Sequence, residues 1–124
     1  MCLLFVYINP YPKEGDYKLI LVNNRDENYN RPTKPARFWD SGILGGKADM
    51  FAGREGGAWL GMDSNGNIAC LLNILQPIDE FMKDRAARGF LVVDFLLGHA
   101  SGFEYMRSIA DSGVKYNDFN LVIL

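Results

Sequence analysis

Two apolar segments near the start, residues 3–8 (Leu-Leu-Phe-Val-Tyr-Ile) and 17–22 (Tyr-Lys-Leu-Ile-Leu-Val), constrain the fold of this chain more than any other feature. Each is apolar on both alternating faces, the pattern expected of a strand covered on both sides. Residues 9–16 between them carry two prolines and a glycine, which is turn composition, and the short link predicts an antiparallel hairpin. The unbroken apolar run at residues 2–8 is far shorter than the roughly 20 residues a membrane-spanning helix needs. No basic residue precedes it and no small-residue cleavage site follows, so it reads as a buried strand and not as a signal peptide.

The second strand is followed at once by Asn24-Arg25-Asp26-Glu27, polar residues at a strand exit, where working groups often sit on a rigid support. Residues 28–40 are irregular, broken by Pro32 and Pro35, and locally basic through Arg31, Lys34 and Arg37. Residues 42–57 are glycine-rich and predict short strands around tight turns. Residues 58–62 and 67–74 read as strands joined at Ser64-Asn65-Gly66, where Asn-Gly signals a hairpin because both residues tolerate positive φ.

After Pro77 the period changes. Phe90, Val93 and Leu97, with Leu91 and Phe95, predict a helix over residues 85–97 that Gly98 ends and Gly89 weakens. Phe103, Met106 and Ile109 predict a second over 103–110, and residues 120–124 are strand-like. Strands, then helices, then a strand indicate an α+β fold or a layered αββα arrangement in one domain, residues 1–124. The apolar ending predicts a truncated domain.

Composition narrows the chemistry. The net charge of −2 lacks the basic excess of a nucleic-acid partner. Two cysteines are too few for a disulfide scaffold, so a reducing compartment, the cytoplasm, is expected. A single histidine, His99, excludes a two-histidine zinc site, and no metal site is assigned. Cys2 offers more. Removal of Met1 would leave it with a thiol and a free α-amine, and the amine can serve as the thiol's own base. A guanidinium would favour the thiolate and a carboxylate would orient the ammonium; Arg25 and Asp26 supply both. The plainer alternative is a small apolar residue that packs. Asn73 is polar within the apolar stretch 69–75, so burial would demand hydrogen bonds.

Met1-Cys2-Leu3-Leu4-Phe5, Asn24-Arg25-Asp26-Glu27, Arg31-Pro32, Gly56-Gly57-Ala58-Trp59-Leu60-Gly61, Asn73 and Asn117-Asp118-Phe119-Asn120-Leu121 follow in that order. On these residues the chain resembles the N-terminal half of the NRDE family, also called the transport and Golgi organisation protein 2 family. The resemblance implies an αββα sandwich akin to N-terminal-nucleophile hydrolases. By that analogy Cys2 is nucleophile and base, Arg25 and Asp26 its charged partners, and Asn73 an oxyanion donor. In the cysteine acylases of that fold the arginine and aspartate are separated by two residues. Here Asp26 directly follows Arg25 and Asn28 takes the spaced position, so Asp26 faces Cys2 only if the strand has already ended.

The family's roles imply haem trafficking, acyl-CoA or lipid handling, and secretory-pathway organisation, with the mitochondrion and Golgi as further locations. Two functional readings follow. The preferred one is a carrier whose ligand site is Asn24, Arg25, Asp26, Glu27 and Arg31, with basic residues meeting haem propionates or CoA phosphates. Haem is then cargo rather than a resident cofactor, with Cys2 or His99 as candidate iron ligands. The alternative is an amidohydrolase using Cys2 on linear amides. A structural reading stands beside both: the tetrapeptide caps a turn and Glu27 pairs with a nearby arginine.

Overall fold

The hairpin forms as the sequence predicts. Leu3–Ile8 (β1) and Leu19–Asn24 (β2) pair antiparallel, with Phe5 opposite Val22 and Tyr7 opposite Ile20. This computed structural model describes residues 2–46, 50, 52–77, 79–98 and 100–124. Among them the fold is mixed α+β, with two helices and two sheets.

The second sheet has five antiparallel strands in chain order: Ala36–Phe38 (β3), Leu44–Gly46 (β4), Leu60–Met62 (β5), Ile68–Asn73 (β6) and Phe119–Ile123 (β7). Phe90–Leu97 (α1) lies across β5 and β6, and Gly102–Asp111 (α2) follows it. Trp39, Ile43, Trp59, Ala69, Leu71 and the buried stripe of α1 form the core. Gly61 lets α1 approach this closely, because a Cβ there would lie 2.7 Å from Leu96 Cδ1. Ser101 and Glu104 close a capping box at the start of α2, and the Tyr105 hydroxyl donates to the Leu91 carbonyl at 2.9 Å, tying α2 to α1.

Three expectations need correction. The hairpin is not covered on both sides: Leu3, Phe5, Tyr7, Ile20 and Val22 share one face, and Phe5 is 66% exposed. No described element covers that face. The first helix begins at Phe90, not at residue 85, because residues 86–89 serve other contacts. Ala86 bridges to Tyr116, and the Gly89 carbonyl accepts from Ala58 N at 3.0 Å. The backbones of Gly57 and Gly89 nearly touch, so a Cβ on Gly57 would meet Gly89 at 3.3 Å. The Asn-Gly turn works through Gly66 alone, at φ +90°; no described non-glycine residue has positive φ. Asp63 shapes that loop, its carboxylate accepting from the amides of Asn65 (2.8 Å) and Asn67 (2.9 Å). These bonds, that to the Asn67 side chain foremost, hold the Asp63 carboxyl below its ordinary range. No helix is long and apolar enough to cross a membrane among the described residues.

Candidate functional site

The site forms where the open end of the hairpin meets the large sheet. Leu3 pairs with Asn24 at the end of the ladder, and Cys2 and Arg25 lie just beyond it. Asn23 Nδ2 donates to the Leu3 carbonyl at 3.0 Å and ties this end together. Cys2, Asn23 and Arg25 are half-buried, whereas Asn24 is exposed.

β2 stops at Asn24, so residues 25–28 are free of strand alternation. That resolves the spacing problem at Arg25 and Asp26. Asp26 turns to a cavity of about 190 Å³ whose wall also includes Cys2, Glu27, Asn73, Phe81 and Arg88. Arg25 lays its guanidinium over the Trp59 indole, 4.1 Å from the ring centroid. The expected pairing is thus rearranged: Asp26 shares a cavity with Cys2, and Arg25 stacks on an aromatic ring.

Glu27 organises the arginines. Its Oε2 accepts from Arg31 Nη1 at 2.7 Å and lies 3.9 Å from Arg25 Nη2, while its Oε1 accepts from Asn28 N at 3.0 Å. The predicted pairing of Glu27 with an arginine is therefore present. Arg31 also reaches Trp59, at 5.1 Å. Of the basic loop only Arg31 joins this cluster; Lys34 is exposed, and Arg37 sits exposed on β3. Asn24 lines a further concavity, of about 430 Å³, together with Arg25, Asp26, Glu27, Tyr29 and Arg31.

Asn73 ends β6 at the cavity wall. Its Oδ1 is buried and has no hydrogen-bond partner among the described residues. A buried acceptor left open at a cavity is a group available to a ligand. Cys70, three residues earlier, is enclosed; burial, and then Cys2, push its thiol up to about 11. Cys70 is therefore held as the thiol, as its reading as a buried strand residue requires.

Sequence reasoning missed Arg54, Phe81 and Arg88. A second cavity, of about 360 Å³, shares Glu27 and Phe81 with the first and adds Asn28, Asn30, Arg31 and Arg54. Arg88 is held below the ordinary arginine range by burial first, then by the nearby charges of Arg54 and Arg31. His99 and Met1 lie outside the described residues. Among those described, no group of three or more His, Cys, Asp or Glu could hold a metal ion.

A family model described as "Transport and Golgi organisation 2" matches residues 1–124. The mouse "Transport and Golgi organization 2 homolog" is 42% identical over 98% of this chain and 44% of its own length. The human homolog gives the same figures of 42%, 98% and 44%. The Drosophila melanogaster "Transport and Golgi organization protein 2" is 33% identical over 98% of this chain and 45% of its own. The chain thus spans less than half the length of these relatives.

Proposed function

The chain belongs to the Transport and Golgi organisation 2 family, and from that premise we propose that it is a carrier or trafficking factor for an anionic, partly apolar ligand of the haem or acyl-CoA class. One observation carries the reading. Two adjoining cavities share Glu27 and Phe81, and their walls combine apolar Ile74, Leu75 and Phe81 with cationic Arg31, Arg54 and Arg88. Apolar walls suit a porphyrin or acyl body, and guanidinium groups suit propionates or phosphates. The relatives' names refer to transport and Golgi organisation, and a role on that route, in the cytoplasm or at the surface of mitochondria or Golgi, is what we propose for this chain.

Titration of the purified protein with haem and with a long-chain acyl-CoA tests this. Replacing Arg31, Arg54 and Arg88 by glutamine is expected to weaken binding by about tenfold or more, since charge-assisted contacts to the anionic groups are removed. Unchanged affinity would remove the site from contention.

A second reading rests on a different observation: Cys2, Asp26 and Asn73 line one cavity. In an N-terminal-nucleophile amidohydrolase the free α-amine takes the thiol proton, and the sulfur attacks an amide carbonyl while the Asn73 amide N–H stabilises the oxyanion. The C–N bond breaks as the proton passes to the departing amine, and water then hydrolyses the thioester to release the acid and the thiol. The αββα sandwich belongs with this reading. It is supported by α1 lying across β5 and β6, and by the closeness of Cys2 to Cys70, which alternates to the opposite face of β6 from Ala69 and Leu71. Mass spectrometry is the test. Retained Met1 sinks the nucleophile, and a processed chain must also take up a cysteine-directed acyl probe at Cys2.

A further inference from the structure

The two tryptophans are both buried, yet their indoles are satisfied differently. Trp39 Nε1 donates to the Gly45 carbonyl at 2.8 Å. Trp59 is only 5% exposed, and its Nε1–H has no acceptor among the described residues. A buried donor without an acceptor is costly, so what lies in front of it matters.

Trp59 also lines a hollow of about 20 Å³, together with Arg31, Arg54, Arg88, Asn73 and Gly89. Three guanidinium side chains converge on it. Glu27 holds Arg31 at 2.7 Å, and Arg88 donates to the Asp118 carbonyl at 2.6 Å. Arg54 has no ion-pair partner among the described residues. Around Arg88 the charges of Arg54 and Arg31 oppose those of Glu27 and Asp118, so three guanidinium groups meet two carboxylates. Gly89 is also the N-cap of α1, which has neither a side-chain cap nor an acidic residue in its first turn. No described side chain caps the positive end of that helix.

We propose that this hollow is an oxyanion site, in which Trp59 Nε1–H, Arg54 and Arg88 donate to the anionic end of a ligand. A water needs about 10–15 Å³ of such space, so the hollow admits an oxygen of a carboxylate or phosphoryl group but not a whole ligand. The inference deepens the carrier function and rests on it only for what the oxyanion is attached to.

The two indole N–H signals in a ¹H–¹⁵N spectrum give the test, with Trp39 as internal control and Trp59→Phe for assignment. Inorganic phosphate and acetate are titrated separately into the 124-residue chain. The Trp59 signal is expected to move saturably while that of Trp39 stays fixed. Arg54→Gln and Arg88→Gln are each expected to raise the apparent Kd about tenfold. Tighter binding of phosphate identifies a phosphoryl site, and tighter binding of acetate a carboxylate site. If neither anion moves the Trp59 signal, water fills the hollow and the proposal falls. It falls equally if the Arg54→Gln/Arg88→Gln double variant, with the Trp39 signal unshifted to show that the fold is intact, binds the anions as tightly as the parent. If haem and acyl-CoA do not bind but phosphate or acetate still moves Trp59, the carrier function fails and the oxyanion site stands.

Discussion

The β1–β2 hairpin and the β5–β6–β7 part of the large sheet are built from similarly apolar strands, yet their fates differ. In β6, Ala69, Cys70 and Leu71 are completely or almost completely buried. In β1, Leu3, Phe5, Val6, Tyr7 and Ile8 are all exposed. The difference lies in the neighbours. β6 has a strand on each side and α1 across it, whereas among the described residues β1 and β2 pair only with each other. A two-stranded ribbon is marginal alone, and this one is tied to the rest of the fold at its Cys2 end by the stack of Arg25 on Trp59. Apolar sequence makes a strand; its partners decide whether it becomes core. The candidate site lies at the seam between the two regions.

That contrast can be broken by measurement. Leu71→Ala should produce the largest effect, lowering stability by about 2–5 kcal/mol in denaturant unfolding, because it opens a cavity in a filled core. A loss below about 1 kcal/mol would mean that β6 is not the packed centre described. The cysteines should separate next. At pH 8 Cys2 is expected to alkylate about a hundredfold faster than Cys70, whose enclosed thiol keeps its proton. Cys70 also gives a pH signature. Its folded pKa, about 11, is above that of an exposed thiol. Its contribution to stability is therefore complete below about pH 8.5 and is lost as the pH rises towards 11. Equal labelling of the two thiols would contradict the enclosure of Cys70.

Ser101→Ala should cost about 1 kcal/mol by removing the α2 cap. Its partner Glu104 is held below the ordinary carboxylate range, chiefly by the Ser101 hydroxyl. The cap's ionic contribution is therefore present at neutral pH and lost as pH falls through that lowered value. Circular dichroism across acid pH, compared between parent and variant, reads this directly. Phe5→Ser should change stability least, by under about 0.5 kcal/mol, because Phe5 is already in water. A large loss there would show that something covers the hairpin's outer face in solution.

Much of the frame was legible because it is local. The hairpin links, the strand ending at Asn73, the helix following Ser101 and the last strand each depend on nearby periodicity and turn residues. What was not legible depends on contacts between distant segments. Residues 86–89 carry a helical pattern but are claimed by the bridge to Tyr116 and the close approach of Gly57 to Gly89. The open hairpin face could not be read from residues that look like core. In the site, Cys2, Asp26 and Asn73 stood out as anomalies in their own segments. Arg54, Phe81 and Arg88 did not, because a charged residue in a loop looks solvated until the fold gathers several around one indole. Asn24 alternates to the outer face of β2, yet it borders one concavity with Arg25, Asp26, Glu27 and Arg31.

Ligand protection of Cys2 tests the central claim most directly, since it asks whether the thiol cavity and the arginine-walled groove form one binding site. The rate of Cys2 alkylation is measured with and without saturating haem or long-chain acyl-CoA. The account predicts that bound ligand slows the reaction about tenfold or more by excluding reagent from the shared cavity. A ligand that binds tightly yet leaves the rate at Cys2 unchanged would contradict it.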